Sequence, residues 1–181
     1  MKTLNQYIEE KLVINKNNNF YNYRPSSKLE LSSLLSKLIK ERGDEGDFND
    51  IDTSEITDMS NLFASFPKFN GDISLWDTSN VMIMTRMFDQ CNKFNCDISG
   101  WDVSRVTHMT MMFNACWKFN QDISGWDVSS VQFMNYMFYE CDNFEQDLSK
   151  WNLKSLKNTA NSPFTDSKIA DKKELWPKAL Q

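Results

Sequence analysis

The stretch FNQDISGWDVS, residues 119–129, recurs along the chain at a fixed step of 25 residues. The related stretches are FNGDISLWDTS at 69–79, FNCDISGWDVS at 94–104 and FEQDLSKWNLK at 144–154. The same step relates the methionines Met84, Met109 and Met134 and the cysteines Cys91, Cys116 and Cys141. Agreement at so many fixed offsets indicates a repeat array, which runs from about Asp47 to about Ser162.

Each unit contains two local patterns that predict secondary structure. Apolar residues after the quoted stretch follow helical spacing, and Ser79 precedes them with a side chain suited to an N-cap. In the unit that follows Trp76 these residues are Val81, Met84, Met87, Phe88 and Cys91. Residues 97–99 alternate polar, apolar, polar, which favours one very short strand. We therefore expect one short strand and one short helix per unit.

A single unit is too small to bury its own apolar side, so the units should stack on one another. This predicts an α/β solenoid of about four to five coils, closed at both ends by helical caps. Leucines over residues 27–42 predict the N-terminal cap helix, and Ile169, Leu175, Trp176 and Leu180 predict a smaller C-terminal cap. The expected divisions are 1–43 for the N-terminal helical segment and cap, 44–162 for the solenoid and 163–181 for the C-terminal cap.

Residues 119–129, with Val131 and the Met137–Phe138 pair after them, resemble the 25-residue repeats of mycoplasma surface proteins. These repeats are related to BspA-like repeats and distantly to leucine-rich repeats. The resemblance covers residues 47–162 and implies a leucine-rich-repeat-like solenoid with a binding role and no catalytic residues. A second resemblance involves MKTLNQYIEE, residues 1–10, which is similar to phage capsid-targeting leaders. The alternative for this segment is a short amphipathic helix that packs on the cap.

Charge and hydropathy exclude several classes of partner. Residues 44–153 carry six Lys/Arg and eighteen Asp/Glu, so this body has a net charge of -12 between ends of +4 and +3. Such a body repels a phosphate backbone, so we expect no nucleic-acid partner. No apolar run approaches the ~20 residues of a membrane span, and the start lacks the apolar segment of a secretory signal. The expected location is the cytoplasm of a bacterial cell or a virion.

Three sets of residues are candidates for chemistry. Two columns of aspartates, at 72, 97, 122 and 147 and at 52, 77, 102 and 127, suggest calcium ligands or backbone-capping turns. The repetition of the same turn favours capping, so we predict no metal site and no cofactor. Cys91, Cys116 and Cys141 end an apolar stripe and are expected to be reduced core residues. His108 has no partnered serine or cysteine in a known motif, which argues against an enzyme.

One surface of the units carries apolar residues that the core does not require. Two places per unit, three residues apart, face away from the predicted stripe and hold Ile83, Arg86, His108, Met111, Phe133 and Tyr136. Exposed groups of these types are typical of interfaces. We expect a non-enzymatic protein–protein interaction module that binds a protein partner, or a second copy, through these residues. Two alternatives remain: a phage-encoded or virion-packaged inhibitor of a host factor, whose acidic body could mimic nucleic acid, and a surface adhesin-like protein.

Overall fold

The computed structural model describes residues 21–157 and 160–181, so the leader-like segment 1–10 lies outside the described residues. Helix α1 spans Lys28–Arg42, and two short 3-10 helices span Lys173–Leu175 and Lys178–Leu180. Between α1 and the first 3-10 helix, the described chain forms turns that are joined by isolated parallel bridges. None of the described helices has the length and apolar character needed to cross a membrane.

Helix α1 confirms the helix predicted over residues 27–42. The Ser27 side chain accepts a hydrogen bond from the N–H of Glu30 at the N-terminus. Gly43, with a φ of 81°, ends the helix and donates its N–H to the carbonyl of Ile39. The inner face is fully buried in the same cluster as the first unit and consists of Leu31, Leu35, Leu38 and Ile39.

Residues 25 positions apart lie next to one another in ladders that run through the core. The rings of Phe63, Phe88, Phe113 and Phe138 stack in sequence, with centroid separations of 5.2, 5.6 and 5.6 Å. A second ladder joins Phe69, Phe94, Phe119 and Phe144 at 6.3, 5.9 and 5.8 Å. The core of the described chain is therefore a continuous stack of aromatic rings.

Polar atoms on the core side chains bond to the preceding unit. The indole N–H of Trp126 donates to the carbonyl of Ile98 at 3.2 Å, and Trp76, Trp101 and Trp151 make the equivalent bond. Each bond satisfies both a buried indole and a backbone carbonyl, so the tryptophan column is compatible with near-complete burial.

The expected fold class, an α/β solenoid with leucine-rich-repeat-like coils of one strand and one helix each, is wrong. The described residues of the units form no helix and no strand longer than a single bridge. Residues 97–99, the expected strand, form a turn in which the Asp97 carboxylate accepts the N–H of Ser99 at 3.0 Å. The N–H of Trp101 then donates to the carbonyl of Ile98, which closes the next turn.

Backbone hydrogen bonds explain why the expected helices do not form. An α-helix requires each N–H to bond the carbonyl four residues back. Here alternate N–H groups donate to the next unit instead: Met84 to His108, Arg86 to Thr110 and Phe88 to Met112, at 2.8, 3.0 and 2.9 Å. Arg86 and Gln90 have φ values of 55° and 63°, in the left-handed region that a right-handed helix excludes. The apolar residues are buried as expected, but successive tight turns direct them inward.

The C-terminal residues extend the stack by one further layer. The ring of Phe164 stacks on Phe138 at 5.8 Å, and Trp176 packs against Phe164 at 4.9 Å. The Glu145 carboxylate fastens this layer by pairing with Lys168 at 2.8 Å and with Lys172. Hydrogen bonds from these two lysines lower the pKa of Glu145 from 4.5 to about 2.

Protonation of Glu145 is therefore expected to loosen the C-terminal layer at acid pH. A carboxyl group whose folded-state pKa is lowered adds stability above its unfolded pKa, near 4.5, and loses it as the pH falls towards 2. We expect Glu145→Gln to melt below the unmodified protein at neutral pH, with a difference that shrinks over this window. Thermal melts at several pH values test this, with Glu55→Gln, an exposed acid of the first unit, as the control. A difference that does not depend on pH would contradict the ion-pair explanation.

Candidate functional site

The structure places Ile83, His108 and Phe133 in one column. Parallel bridges join Ile83 to His108 and His108 to Phe133, and the rings of His108 and Phe133 lie 4.8 Å apart. All three residues are half-buried. In the first unit the same place holds Asp58, which pairs with Lys28 of α1 at 3.3 Å. The apolar part of this column therefore begins at Ile83.

Arg86, Met111 and Tyr136 form a second column three residues further along each unit. All three have a positive φ, of 55°, 55° and 56°, so they occupy a left-handed turn and not the helix that was expected. The side chain of Arg86 is half exposed, and Met111 and Tyr136 are half-buried. The six residues proposed from the sequence thus lie in two neighbouring columns, although no helix presents them.

The C-terminal layer packs against the last unit, and Phe133 and Tyr136 stay partly exposed beside it. Residues 167–176 contact 141–148, through the bond from the Lys168 N–H to the Cys141 carbonyl and the bond from the Leu148 N–H to the Leu175 carbonyl. The Tyr136 hydroxyl donates to the side chain of Asn161 at 2.8 Å, and this bond continues the second column. Phe133 and Tyr136 both retain partial exposure in this arrangement.

The only histidine of the sequence, His108, has a threonine hydroxyl beside it. The Thr107 hydroxyl lies 2.8 Å from Nδ1 of His108 and 3.2 Å from the carbonyl oxygen of Met82. A hydroxyl has one proton, so if the Thr107 hydroxyl donates to the Met82 carbonyl, Nδ1 of His108 must be the donor in the shorter contact. In that arrangement the histidine does not accept the hydroxyl proton, as a general base would have to.

The aspartate columns bond to the backbone of their own turns. Asp77, Asp102 and Asp127 accept the N–H groups of Ser79, Ser104 and Ser129 at 3.0, 2.9 and 3.0 Å. Hydrogen bonds from Ser104 lower the pKa of Asp102, and those from Ser129 lower the pKa of Asp127. Within 21–157 and 160–181, no group of three His, Cys, Asp or Glu side chains is arranged to hold a metal ion. The carboxylates of these aspartate columns therefore serve as hydrogen-bond acceptors in a turn that is repeated in each unit.

The repeated cysteines are buried and free, as expected. Their thiols donate to backbone carbonyls of the preceding unit: Cys91 to Phe63, Cys116 to Phe88 and Cys141 to Phe113, at 3.2, 3.0 and 2.9 Å. Burial raises the pKa of each of these thiols, so they remain protonated donors at neutral pH.

Sequence reasoning missed a cleft at the C-terminal end of the array. Its volume is about 610 Å³, and it is lined by residues 149–154 together with Lys178 and Ala179. The signal that could have found it is the stretch FEQDLSKWNLK, where the last unit departs from the repeat.

A comparison with protein families finds one described as "Mycoplasma protein of unknown function, DUF285". Its profile matches residues 31–116 and, in a second overlapping match, residues 57–176. Together the two matches include most of helix α1, all the turn units and most of the C-terminal layer. Searches of curated proteins and of solved structures found no match.

Proposed function

The chain belongs to the DUF285 family of mycoplasma proteins of unknown function. We propose that it is a non-enzymatic module that binds a protein partner. The partner surface consists of the two columns Ile83, His108, Phe133 and Arg86, Met111, Tyr136, here called the column surface. The observation that carries the proposal is the placement of these residues in equivalent positions of three units. Parallel bridges join the first column, the second column lies three residues further along each unit, and both columns are partly exposed.

The residue types on the column surface support a binding role. Aromatic residues, methionine and arginine are enriched at the cores of protein interfaces, where they provide contact area with few rotatable bonds. An ordinary solvated turn favours polar residues, yet five of these six positions hold an apolar or aromatic side chain when the imidazole ring of His108 is counted as aromatic. Partially exposed apolar groups that adjoin one another commonly mark an interaction site.

The rigidity of the scaffold supports the same role. The N–H of Met84 donates to the carbonyl of His108, and the N–H of Met109 donates to the carbonyl of Phe133. The backbone of the column surface is therefore hydrogen-bonded from each unit to the next. Stacked phenylalanines hold the opposite side of each turn. A surface that is ordered before binding loses less conformational entropy when a partner docks.

A surface adhesin-like role is the second candidate, supported by the resemblance of the 25-residue repeats to those of mycoplasma surface proteins. We propose a wider kinship with BspA-like 25-residue repeats, supported by the 25-residue step of the sequence. Protease treatment of intact cells distinguishes the two roles, since an adhesin is cleaved on the cell surface. Survival of the protein in intact cells, with cleavage after lysis, would exclude the adhesin.

The direct test replaces Phe133 and Tyr136 with aspartate. We expect Phe133→Asp with Tyr136→Asp to retain the fold, because both side chains are partly exposed, and to reduce partner capture or self-association at least tenfold, about 1.4 kcal/mol. The measurements are crosslinking through a photoreactive amino acid at position 108 in a lysate of the cells that produce the protein, and light scattering of the purified protein. Phe133→Asp alone avoids losing the Tyr136–Asn161 hydrogen bond.

The matched control is Gln121→Asp with Gln146→Asp, which adds the same charge at half-buried positions on another side of the units. We expect this control to bind normally. If the control lost binding while the Phe133 and Tyr136 variant bound normally, the binding site would lie on the surface that contains Gln121 and not on the column surface. Unfolding of the single Phe133→Asp variant would show that the column surface belongs to the core.

A further inference from the structure

The last turn unit reverses the charge of the units before it. Residues 122–129 contain two aspartates and no lysine, whereas residues 147–154 contain one aspartate and two lysines, so the local net charge changes from -2 to +1. Three substitutions relative to the preceding unit change the charge or introduce a lysine, and they occur at alternate positions: Lys150 stands in the place of Gly125, Asn152 in that of Asp127 and Lys154 in that of Ser129. The core residue between the first two, Trp151, is retained and buried.

These altered positions line the cleft of about 610 Å³, here called the lysine cleft. The C-terminal layer adds a third lysine, Lys178, from the segment that lies over the last unit. The ring of Trp151 and the side chain of Leu153, both nearly buried, form the apolar part of the lining, with Ala179 on the other side. Three cations are therefore gathered around one concavity at an end of an otherwise acidic body.

The three lysines of the cleft form no ion pair within 4 Å among the described residues, although Lys150 interacts electrostatically with Asp147 and Lys154 with Asp127. Lys168 and Lys172, in contrast, are paired with Glu145. The two nearby carboxylates already accept backbone hydrogen bonds. Asp147 accepts the N–H of Ser149 at 2.9 Å, and Asp127 accepts the N–H of Ser129 at 3.0 Å. The amide of Asn152 similarly accepts the N–H of Lys154 at 3.2 Å, in a place where earlier units have a carboxylate.

We propose that the lysine cleft binds the phosphate group of a small soluble ligand. Three lysines that line one concavity match an anion with two or more charges, and lysine binds phosphate as a point charge. Replacement of the repeated aspartate by Asn152 removes the carboxylate that would repel such an anion. None of the lining residues belongs to the column surface, so this site is separate from the proposed partner site.

The test uses the full chain and pyrophosphate as the probe. We expect pyrophosphate to raise the melting temperature and to shift the backbone amide resonances of residues 149–154 and 178–179. A ligand that binds only the folded state stabilises it increasingly as its concentration exceeds its dissociation constant. Lys150→Gln with Lys154→Gln should weaken binding by roughly tenfold or more, since each exposed charge contributes about threefold to fivefold.

A column of exposed lysines elsewhere supplies the matched control. Lys68, Lys93 and Lys118 are 25 residues apart and lie outside the cleft, so the triple variant to glutamine removes comparable charge. We expect this control to bind pyrophosphate normally. An equal loss in the control would overturn the proposal in favour of general charge attraction. Absence of the amide shifts, or binding only to vesicles that contain phosphatidic acid, would overturn the assignment to a soluble phosphate ligand.

Discussion

Replacing Phe113 with alanine is expected to lower the free energy of unfolding by about 3–5 kcal/mol, the usual cost of truncating a fully buried phenylalanine. Phe113 has no exposed surface, and its ring lies 5.6 Å from Phe88, 4.1 Å from Phe119 and 5.6 Å from Phe138. The cavity would therefore interrupt both phenylalanine ladders at the centre of the stack. For a chain of this size the melting temperature should fall by roughly 10 °C.

Phe133→Ala is the matched control for this prediction, because it makes the same chemical change at a half-buried position of the column surface. We expect it to cost less than about 1 kcal/mol. Circular dichroism melts and denaturant midpoints of the two variants measure the difference. Equal losses of stability would mean that the phenylalanine ladders do not form the principal core.

Leu35→Asp is expected to detach helix α1 and to make the protein associate. Leu35 is completely buried against the first unit, and burial of a leucine is worth about 1.5–3 kcal/mol. An aspartate at this position would also leave an unpaired carboxylate in an apolar site, which costs more than the lost contact. Detachment would expose Phe48 and Ile51, and open apolar ends of stacked proteins tend to bind one another.

Leu29→Asp provides the control, because Leu29 is on the same helix and is 77% exposed. We expect this variant to remain a monomer with an unchanged melting temperature. Size-exclusion chromatography with light scattering reports association, and hydrogen exchange at Phe48 and Ile51 reports opening of the first unit. A monomeric Leu35→Asp variant with normal protection would show that α1 does not close this end of the array.

Sequence periodicity predicted the neighbours of each residue in the array. Residues such as Phe88 and Phe113 recur at the same offset, so stacking of equivalent units places them in contact. Helix α1 was predictable because its leucine spacing, its Ser27 cap and its terminal Gly43 are all local signals. The two columns of the column surface follow from the same period, whereas their role in binding remains a prediction.

The 25-residue period was enough to predict which residues are equivalent and which lie in the core, whereas the path of the backbone depends on contacts between units. Spacings of three and four residues, as in Met84, Met87 and Phe88, suit a helix and also a series of tight turns. The outcome depends on whether an N–H bonds within its own turn or with the next unit, and the apolar pattern is the same in both cases. Stacking supplies the carbonyl of His108 to the N–H of Met84, which favours turns. The lysine cleft also depends on tertiary structure, because packing of the C-terminal layer brings Lys178 to the last unit.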